Sequence, residues 1–536
     1  MAEPAIESCP YLDTVTRSLL DFDFEHSCSV SLDGGPHIYG CLVCGKFFRG
    51  RGKGTPAYTH SVNDSHFVFV HLSRGTFHCL PDDYEIKDPS LNDISLALRP
   101  TFTEEDISNM DQQTSLARDL FGRRYLPGFV GLNNLNKTDY INSTLQALAH
   151  VKPLRDFFLR CGTGQPFEIQ LSSTRCVMKG KKRLREANDN MALQEKRTFL
   201  SIDPQTFSPI AYHFGEMIRK IWSDKRFKAT VNPHMLVQAI SVASKKRFTI
   251  GIQAEAGEFL AWLLHQLHVG IGGSKKPGSS IIHEIFQGLV EITDRRPNKQ
   301  KTSLHEEGDN KILNEMDDRL GSDDEMNIPS EKVVSGLEYD GKLDTEVTTE
   351  TTFLQLTVEI PEKPLFKDNN GGIVIPQEPL VNVLKKFDGN SFHDAYTHGS
   401  ISHKRRYRIK KLPNYLILHL VRFKKNHFIH EKNPTIVVFP VRNLDFGSYV
   451  FSSEMIPSDI TNKYDLVANI THNIPAEVGR EGQFDPLKEG QYKCHAQHRA
   501  TGQWYDVQDL HVQEIMPQLI GLSESCILIL ERKLSR

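Results

Sequence analysis

The sequence predicts an α+β protein: a small metal-bound module, then a larger domain in which helices precede a largely antiparallel sheet. Three observations carry this. Five of the nine cysteines, Cys9, Cys28, Cys41, Cys44 and Cys79, crowd into the N-terminal end, and the other four are scattered. Through the middle of the chain apolar residues recur at helical spacing, as in Phe259, Leu260, Leu263 and Leu267. From about residue 281 the character changes, and Leu354, Leu356, Val358 and Ile360 alternate as a half-buried strand does. Helices first and strands later is the α+β order.

The composition sets bounds on the function. A chain of 536 residues exceeds one ordinary domain. With 39% hydrophobic and 24% charged residues it reads as globular. A net charge of −3 argues against a wholly basic nucleic-acid coat and leaves room for a local basic face. MAEPAIESCPYL lacks the basic and apolar regions of a secretion signal. The longest apolar runs, Tyr415 to Val421 and Cys526 to Leu530, are strand-sized. The expectation is a soluble, intracellular protein with no membrane contact, whose clustered cysteines bind metal and do not form a disulfide scaffold.

The first unit spans residues 9 to about 85. Its metal signal is Cys41-Leu-Val-Cys44 followed by His60 and His66. Two cysteines separated by two residues place both thiolates on one turn, and two histidines complete a tetrahedral sulfur–nitrogen zinc site. Gly40 and Gly45 flank the pair and permit the tight turn. Cys9, Cys28 and Cys79 are too few for a second site and read as core thiols. The nearby RGRGKG run lacks P-loop spacing and reads as a solvated basic turn.

The next stretch, DPSLNDISLALRPTFTEEDI, carries strand and turn signals. Asn142 to Arg160 reads as a helix that Pro153 interrupts. Further helices are predicted near 208–223, after Pro233, and from Glu255 to Val269. Strands are predicted at 415–423, 434–439, 464–471, 491–498, 503–507 and 525–532. Two segments read as flexible inserts, 171–200 and 295–350. The second holds 15 Asp and Glu against 5 Lys and Arg across 301–350, too charged to bury a core. The first contains Lys179, Lys181, Lys182, Arg183 and Arg185, which fit either a nuclear localisation signal or a solvated loop. HKRRYRIKK at 403–411 reads as a surface strand able to touch RNA phosphate or an acidic partner.

The residues also carry a family resemblance. CLVCG, RGRGKG and AYTHSVNDSHF resemble the UBP-type zinc finger, which implies one structural zinc here. GFVGLNNLNKTDYINSTLQAL, QAEAGEFLAWLLHQL, LPNYLILHLVRF and EGQYKCHAQHRATGQWYDVQDLHV are similar, in order, to the motifs of ubiquitin-specific proteases. The resemblance implies domain limits near 1–110 and 125–535. It also implies a papain-like fold with a helical thumb and antiparallel fingers and palm.

Such a thiol protease needs a cysteine at a helix N-terminus, a histidine to carry the proton and a group that orients the histidine. The matching positions here hold Asp139, Gln491 and Gln508, and Asn134 matches the family's oxyanion-hole asparagine. An ionised carboxylate is a poor nucleophile toward an amide, and glutamine is no base near neutrality. Asp139 is expected instead to cap the helix that follows it. Cys494, three residues from Gln491, is turned to the opposite strand face. The pattern is similar to the family's inactive members associated with the spliceosomal tri-snRNP. It implies a nuclear, non-catalytic scaffold of pre-mRNA splicing with tri-snRNP proteins as partners. A non-cleaving receptor for ubiquitin or a ubiquitin-like protein, and an unorthodox deubiquitinase, stay open as alternatives.

Overall fold

The computed structural model describes residues 9–24, 26–172, 197–296, 345–362, 366–367, 373–397, 400–426, 429–449, 460–474 and 485–534. The basic run at 179–185 and most of the acidic segment lie outside them. No helix among the described residues is long and apolar enough to cross a membrane.

The N-terminal module is a five-stranded antiparallel sheet in the order Phe47–Arg49, Ile38–Cys41, Val68–His71, Phe77–Cys79, Tyr84–Ile86. Helix α1 (Pro56–Asp64) lies beside it. Ile38, Val68, Val70, Cys79 and Ile86 are buried together, and Cys9 and Cys28 join the same small core, as expected for core thiols.

The stretch expected to hold strands and turns forms two short helices, α2 (Asn92–Leu98) and α3 (Glu104–Asn109). The reason is local capping. α2 continues from a 3-10 turn (Pro89–Leu91) that the Asp88 side chain caps by accepting from Ser90 N, and at α3 Thr103 and Asp106 form a reciprocal capping box. An Asp in place of the usual Glu or Gln at the box position hid that signal.

The helix expected from Asn142 to Arg160 is two helices, α4 (Asp139–Ala149) and α5 (Lys152–Arg160), with Pro153 in the first turn of the second. Next come α6 (Pro209–Trp222), α7 (His234–Ala243), α8 (Ala256–Gly270) and α9 (Ile281–Phe286). The first three match the expected helices. The last begins where strands were expected.

Two sheets follow. A four-stranded one runs Thr345–Phe353, Gly288–Arg296, Ser400–Lys411, His393–Thr397. The strand Thr345–Phe353 thus starts inside the segment expected to be a flexible insert, and Phe167–Ser172 pairs with Arg197–Ile202 at the base of the other insert. The eight-stranded sheet runs Leu356–Glu359, Tyr415–Val421, Ser525–Leu534, Ile460–Asn473, Gln491–Gln497, Trp504–Gln508, His511–Ile515, with Leu444–Asp445 paired to Ile460–Asn473. All but the first pairing in that order are antiparallel.

The middle of this sheet is buried on both faces, so the runs Tyr415 to Leu418 and Cys526 to Leu530 are apolar without a break. Tyr415 and Ile417 pack toward the helices, and Leu416, Leu418 and Leu420 pack into a second core behind the sheet. Ile527 and Ile529 repeat the division against Leu528 and Leu530.

An acidic strap fastens the N-terminal module to α6. Asp23 receives Lys220 Nζ at 2.8 Å and the backbone N–H of Asn232 at 3.0 Å, and Asp21 meets Lys228 at 2.5 Å. The carboxyl of buried Asp23 sits below its usual range: desolvation pushes it up, and Lys220 and Arg226 more than offset that.

Candidate functional site

The first site is the metal centre. Cys41 ends a strand, and the chain turns back at once, with Gly45 N donating to Cys41 O at 2.9 Å. Gly45 holds φ +74°, and a Cβ there would lie 2.2 Å from Leu19 O, so only glycine closes this turn. His60 projects from α1. Ser65, left-handed at φ 57°, ends that helix and brings His66 back. The ligand atoms of Cys41, Cys44, His60 and His66 all lie within 4.8 Å of one another. A tetrahedral ion with bonds of about 2.0–2.3 Å gathers such a set with a small inward shift.

The surroundings fit the same ion. Asp64 holds His60 Nδ1 at 2.5 Å, leaving Nε2 to face Cys44 Sγ at 3.4 Å. Phe48 stacks on the His60 ring at 4.1 Å. The donor set is that of one structural zinc, and no second such cluster occurs among the described residues.

The second site lies where α4 meets the strand Gln491–Gln497. Gln491 is exposed, and its Oε1 accepts from Gln508 Nε2 at 2.7 Å. The two glutamines expected at the base and orienting positions therefore bond to each other. Asp139 opens α4 and is only 3% exposed. It was expected to cap the helix, but the N-cap position is Thr138 and the Asp139 carboxylate reaches outward. It accepts the backbone N–H of Tyr492 at 2.6 Å and Gln253 Nε2 at 3.0 and 3.1 Å. The carboxylate thus ties α4 to the strand carrying Gln491. Burial raises its pKa above the usual carboxylate value, and those donors offset only part of the cost.

Asn134 is present, but its Nδ2 already donates to Asp509 Oδ2 at 2.9 Å, and Asn142 Nδ2 holds Asp509 Oδ1 at 2.8 Å. Two further bonds cross the seam: Gln253 Nε2 to Gly490 O at 3.3 Å and Lys137 Nζ to Lys488 O at 3.2 Å. Cys494 is buried on the other strand face, as alternation requires. Sequence reasoning missed Gln253 and Asp509 as members of this network. Gln253 does head the second family-like motif, but its partner could not be read there.

This geometry makes a prediction with an explicit sign. A carboxyl whose folded pKa is raised favours folding when protonated, and that contribution is lost as pH rises from the usual carboxylate value through the raised one. Gln253 Oε1 is buried without a partner. In Asp139→Asn an amide flip of Gln253 would aim that oxygen at the new Nδ2. Asp139→Asn is therefore expected to hold or raise stability at pH 7, by up to about 1 kcal/mol, and to reduce the acid dependence. Urea midpoints at pH 4 and pH 7 read this out. A loss of more than about 2 kcal/mol at pH 7, the range for an unpaired buried group, would refute it.

Comparison with known proteins follows the same two-part division. Residues 26–91 match the family described as the zinc finger in ubiquitin-hydrolases and other proteins, and residues 130–529 match the ubiquitin carboxyl-terminal hydrolase family. The chain is 41% identical over 528 residues to ubiquitin carboxyl-terminal hydrolase 39 of Homo sapiens, covering 98% of this chain and 80% of that one. It is 35% identical over 535 residues to the probable mRNA-splicing protein ubp10 of Schizosaccharomyces pombe, covering 99% and 89%. Among solved structures, one titled as an essential yeast splicing factor superposes with a TM-score of 0.63 at 22% identity, covering 98% of this chain and 99% of that one.

Proposed function

The chain belongs to the ubiquitin carboxyl-terminal hydrolase family, and we propose that it keeps that family's fold without its chemistry, as a scaffold of pre-mRNA splicing. The observation that carries this is the site itself: an aspartate buried against Gln253 and the Tyr492 N–H takes the nucleophile position, and two glutamines bonded to each other take those of the proton carrier and its orienting group. In a serine protease, loss of the nucleophile or of the base alone costs on the order of a million-fold, and here both are replaced. The similarity to proteins named for splicing supports the process, a nuclear location and spliceosomal tri-snRNP proteins as partners.

The seam between α4 and the Gln491 strand is bridged by Gln253 and Lys137. No extended peptide enters there without breaking both bonds. This favours binding through outer surfaces over capture of a ubiquitin tail in the cleft. The zinc ligands in this reading are Cys41, Cys44, His60 and His66.

Two measurements test the proposal. Neither the wild type nor Asp139→Cys should turn over a ubiquitin–fluorophore substrate, because Gln491 cannot deprotonate the thiol; turnover above blank by the wild type would overturn the non-enzymatic reading. Nuclear extract depleted of the protein should stall in pre-mRNA splicing and recover equally with wild type and with Asp139→Asn. Splicing that continues unimpaired after depletion would end the scaffold reading.

A further inference from the structure

Between the N-terminal module and α6 runs a crevice of about 310 Å³, walled by Arg99, Gly162, Tyr212 and Arg219 among others. A second cavity of about 200 Å³ shares the wall of Ser73, Leu98, Arg99, Tyr212, Glu216 and Lys220. Neither cavity touches the zinc ligands or the Asp139 network.

The charges on this wall are unequally satisfied. Lys220 is paired with Asp23 at 2.8 Å, and Glu216 accepts from His213 at 2.9 Å. Burial alone would raise the Glu216 pKa, but His213, Lys220 and Arg219 hold it down at about 2, so this carboxylate is already spoken for. Arg99 gives Nη2 to the carbonyls of Leu72, at 3.1 Å, and Ser73. Arg219 is 8% exposed and makes one hydrogen bond, Nη1 to Phe158 O at 3.1 Å. A guanidinium carries five N–H donors. Among the described residues neither arginine has a carboxylate within ion-pair distance.

Arg219 also has a made-to-measure seat. A Cβ on Gly162 would lie 2.8 Å from Arg219 Cδ, and one on Gly215 would lie 3.1 Å from its Nη1 and 2.9 Å from Phe158 Cδ1. Two glycines thus clear the path that brings this side chain to the crevice. Glu216, shared with His213 and Lys220, compensates the buried Arg219 charge only from beyond ion-pair distance, which leaves part of the cost of burial standing, and holding the Phe158 carbonyl uses one donor of five. The unused donors, in a planar fork beside a second arginine, are the arrangement that binds a phosphate with two or more parallel hydrogen bonds.

We propose that this crevice binds a phosphate group carried on a partner peptide, a phosphoserine or phosphothreonine. A phosphoryl group carries about −1.5 to −2 charge at neutral pH; Arg99 and Arg219 set two positive charges against it, one of them partly offset by Glu216. A bare phosphate would leave most of the room empty. The two cavities together reach the lower range of ligand pockets, and Leu98, Phe158 and Phe207 in the first, with Met217 and Leu236 in the second, give flanking side chains an apolar wall.

The test uses the zinc-loaded full chain, a fluorescein-labelled degenerate peptide library with a fixed central phosphoserine, its unphosphorylated twin, and inorganic phosphate as competitor. The phosphorylated library should bind at least tenfold more tightly than its twin. Arg219→Gln should remove most of that difference. Gln205→Glu should weaken the phosphorylated library at least fivefold, since Gln205 is exposed on the crevice wall and the change adds a repelling charge without touching the core. If Arg219→Gln does not fold, Gln205→Glu decides alone. Equal binding of the two libraries, or full binding by Gln205→Glu, overturns the site. Inorganic phosphate binding as tightly as the phosphorylated library overturns the peptide and leaves a small-anion site in its place.

Discussion

Chelating the zinc, or changing Cys41 to Ser, is expected to unfold residues 26–91 while the larger domain keeps its own unfolding transition. The module has little else to hold it. Its apolar residues are divided between two small clusters, one around Val68, Val70 and Ile86 and one around Tyr39, Phe48 and Phe69. A unit of this size buries only about 60% of the surface its unfolded chain exposes and is marginal without a staple. Structural zinc supplies on the order of 10 kcal/mol to such modules. The metal also ties the turn after Cys41 to the middle of α1 and to the chain just beyond that helix. The consequence should reach the crevice, because Ser73 and Arg99 lose their footing when the sheet melts. Hydrogen exchange along the chain, with elemental analysis, reads this out: one zinc per chain, and fast exchange confined to the module once it is removed. Zinc-free protein with a protected module, or a Cys41→Ser form protected like the wild type, would end the assignment.

What could be read in the sequence was what is local or periodic. The metal ligands fall within 26 residues, so spacing alone brought them together, and the structure adds only Asp64 and Phe48 around them. The strands Tyr415–Val421 and Ser525–Leu534 announced themselves because burial on both faces leaves unbroken apolar runs in them, Tyr415 to Leu418 and Cys526 to Leu530. The helices α2 and α3 were misread because short helices depend on how they start more than on periodicity: α2 continues from a 3-10 turn capped by Asp88, and α3 starts from a box that uses Asp106. The Asp139 network was beyond reach for a different reason. Its partners Gln253 and Tyr492 stand 114 and 353 residues away, and no pattern on one element says which way a carboxylate will turn. The same holds for the crevice, whose two arginines come from the end of α2 and the last turn of α6.

The second large effect is expected at Arg422, the arginine of LPNYLILHLVRF. It is 2% exposed and, among the described residues, has no carboxylate in hydrogen-bond contact. Its Nε donates to Ser525 O at 2.6 Å, and its Nη1 donates to Asn433 O at 3.0 Å and Thr435 O at 2.8 Å. These carbonyls belong to the start of the strand Ser525–Leu534 and to the loop before Ile436–Val438, so one planar group ties three segments at the edge of the central sheet. Burial pulls its pKa below the usual arginine value, and the group still stays charged because the carbonyls surround it. Arg422→Ala leaves those carbonyls unpaired in a void and is expected to cost about 3–5 kcal/mol, a large part of what holds an ordinary domain together. Arg422→Lys keeps the charge but not the fork and should fall between the two. Urea unfolding of the three forms, with zinc content checked so that the N-terminal module is not confused with the larger domain, gives the order directly. An Arg422→Ala protein within about 1 kcal/mol of wild type, the net worth of one ordinary hydrogen bond, would mean the carbonyls find water or one another, and that the motif's arginine has some task other than holding the sheet.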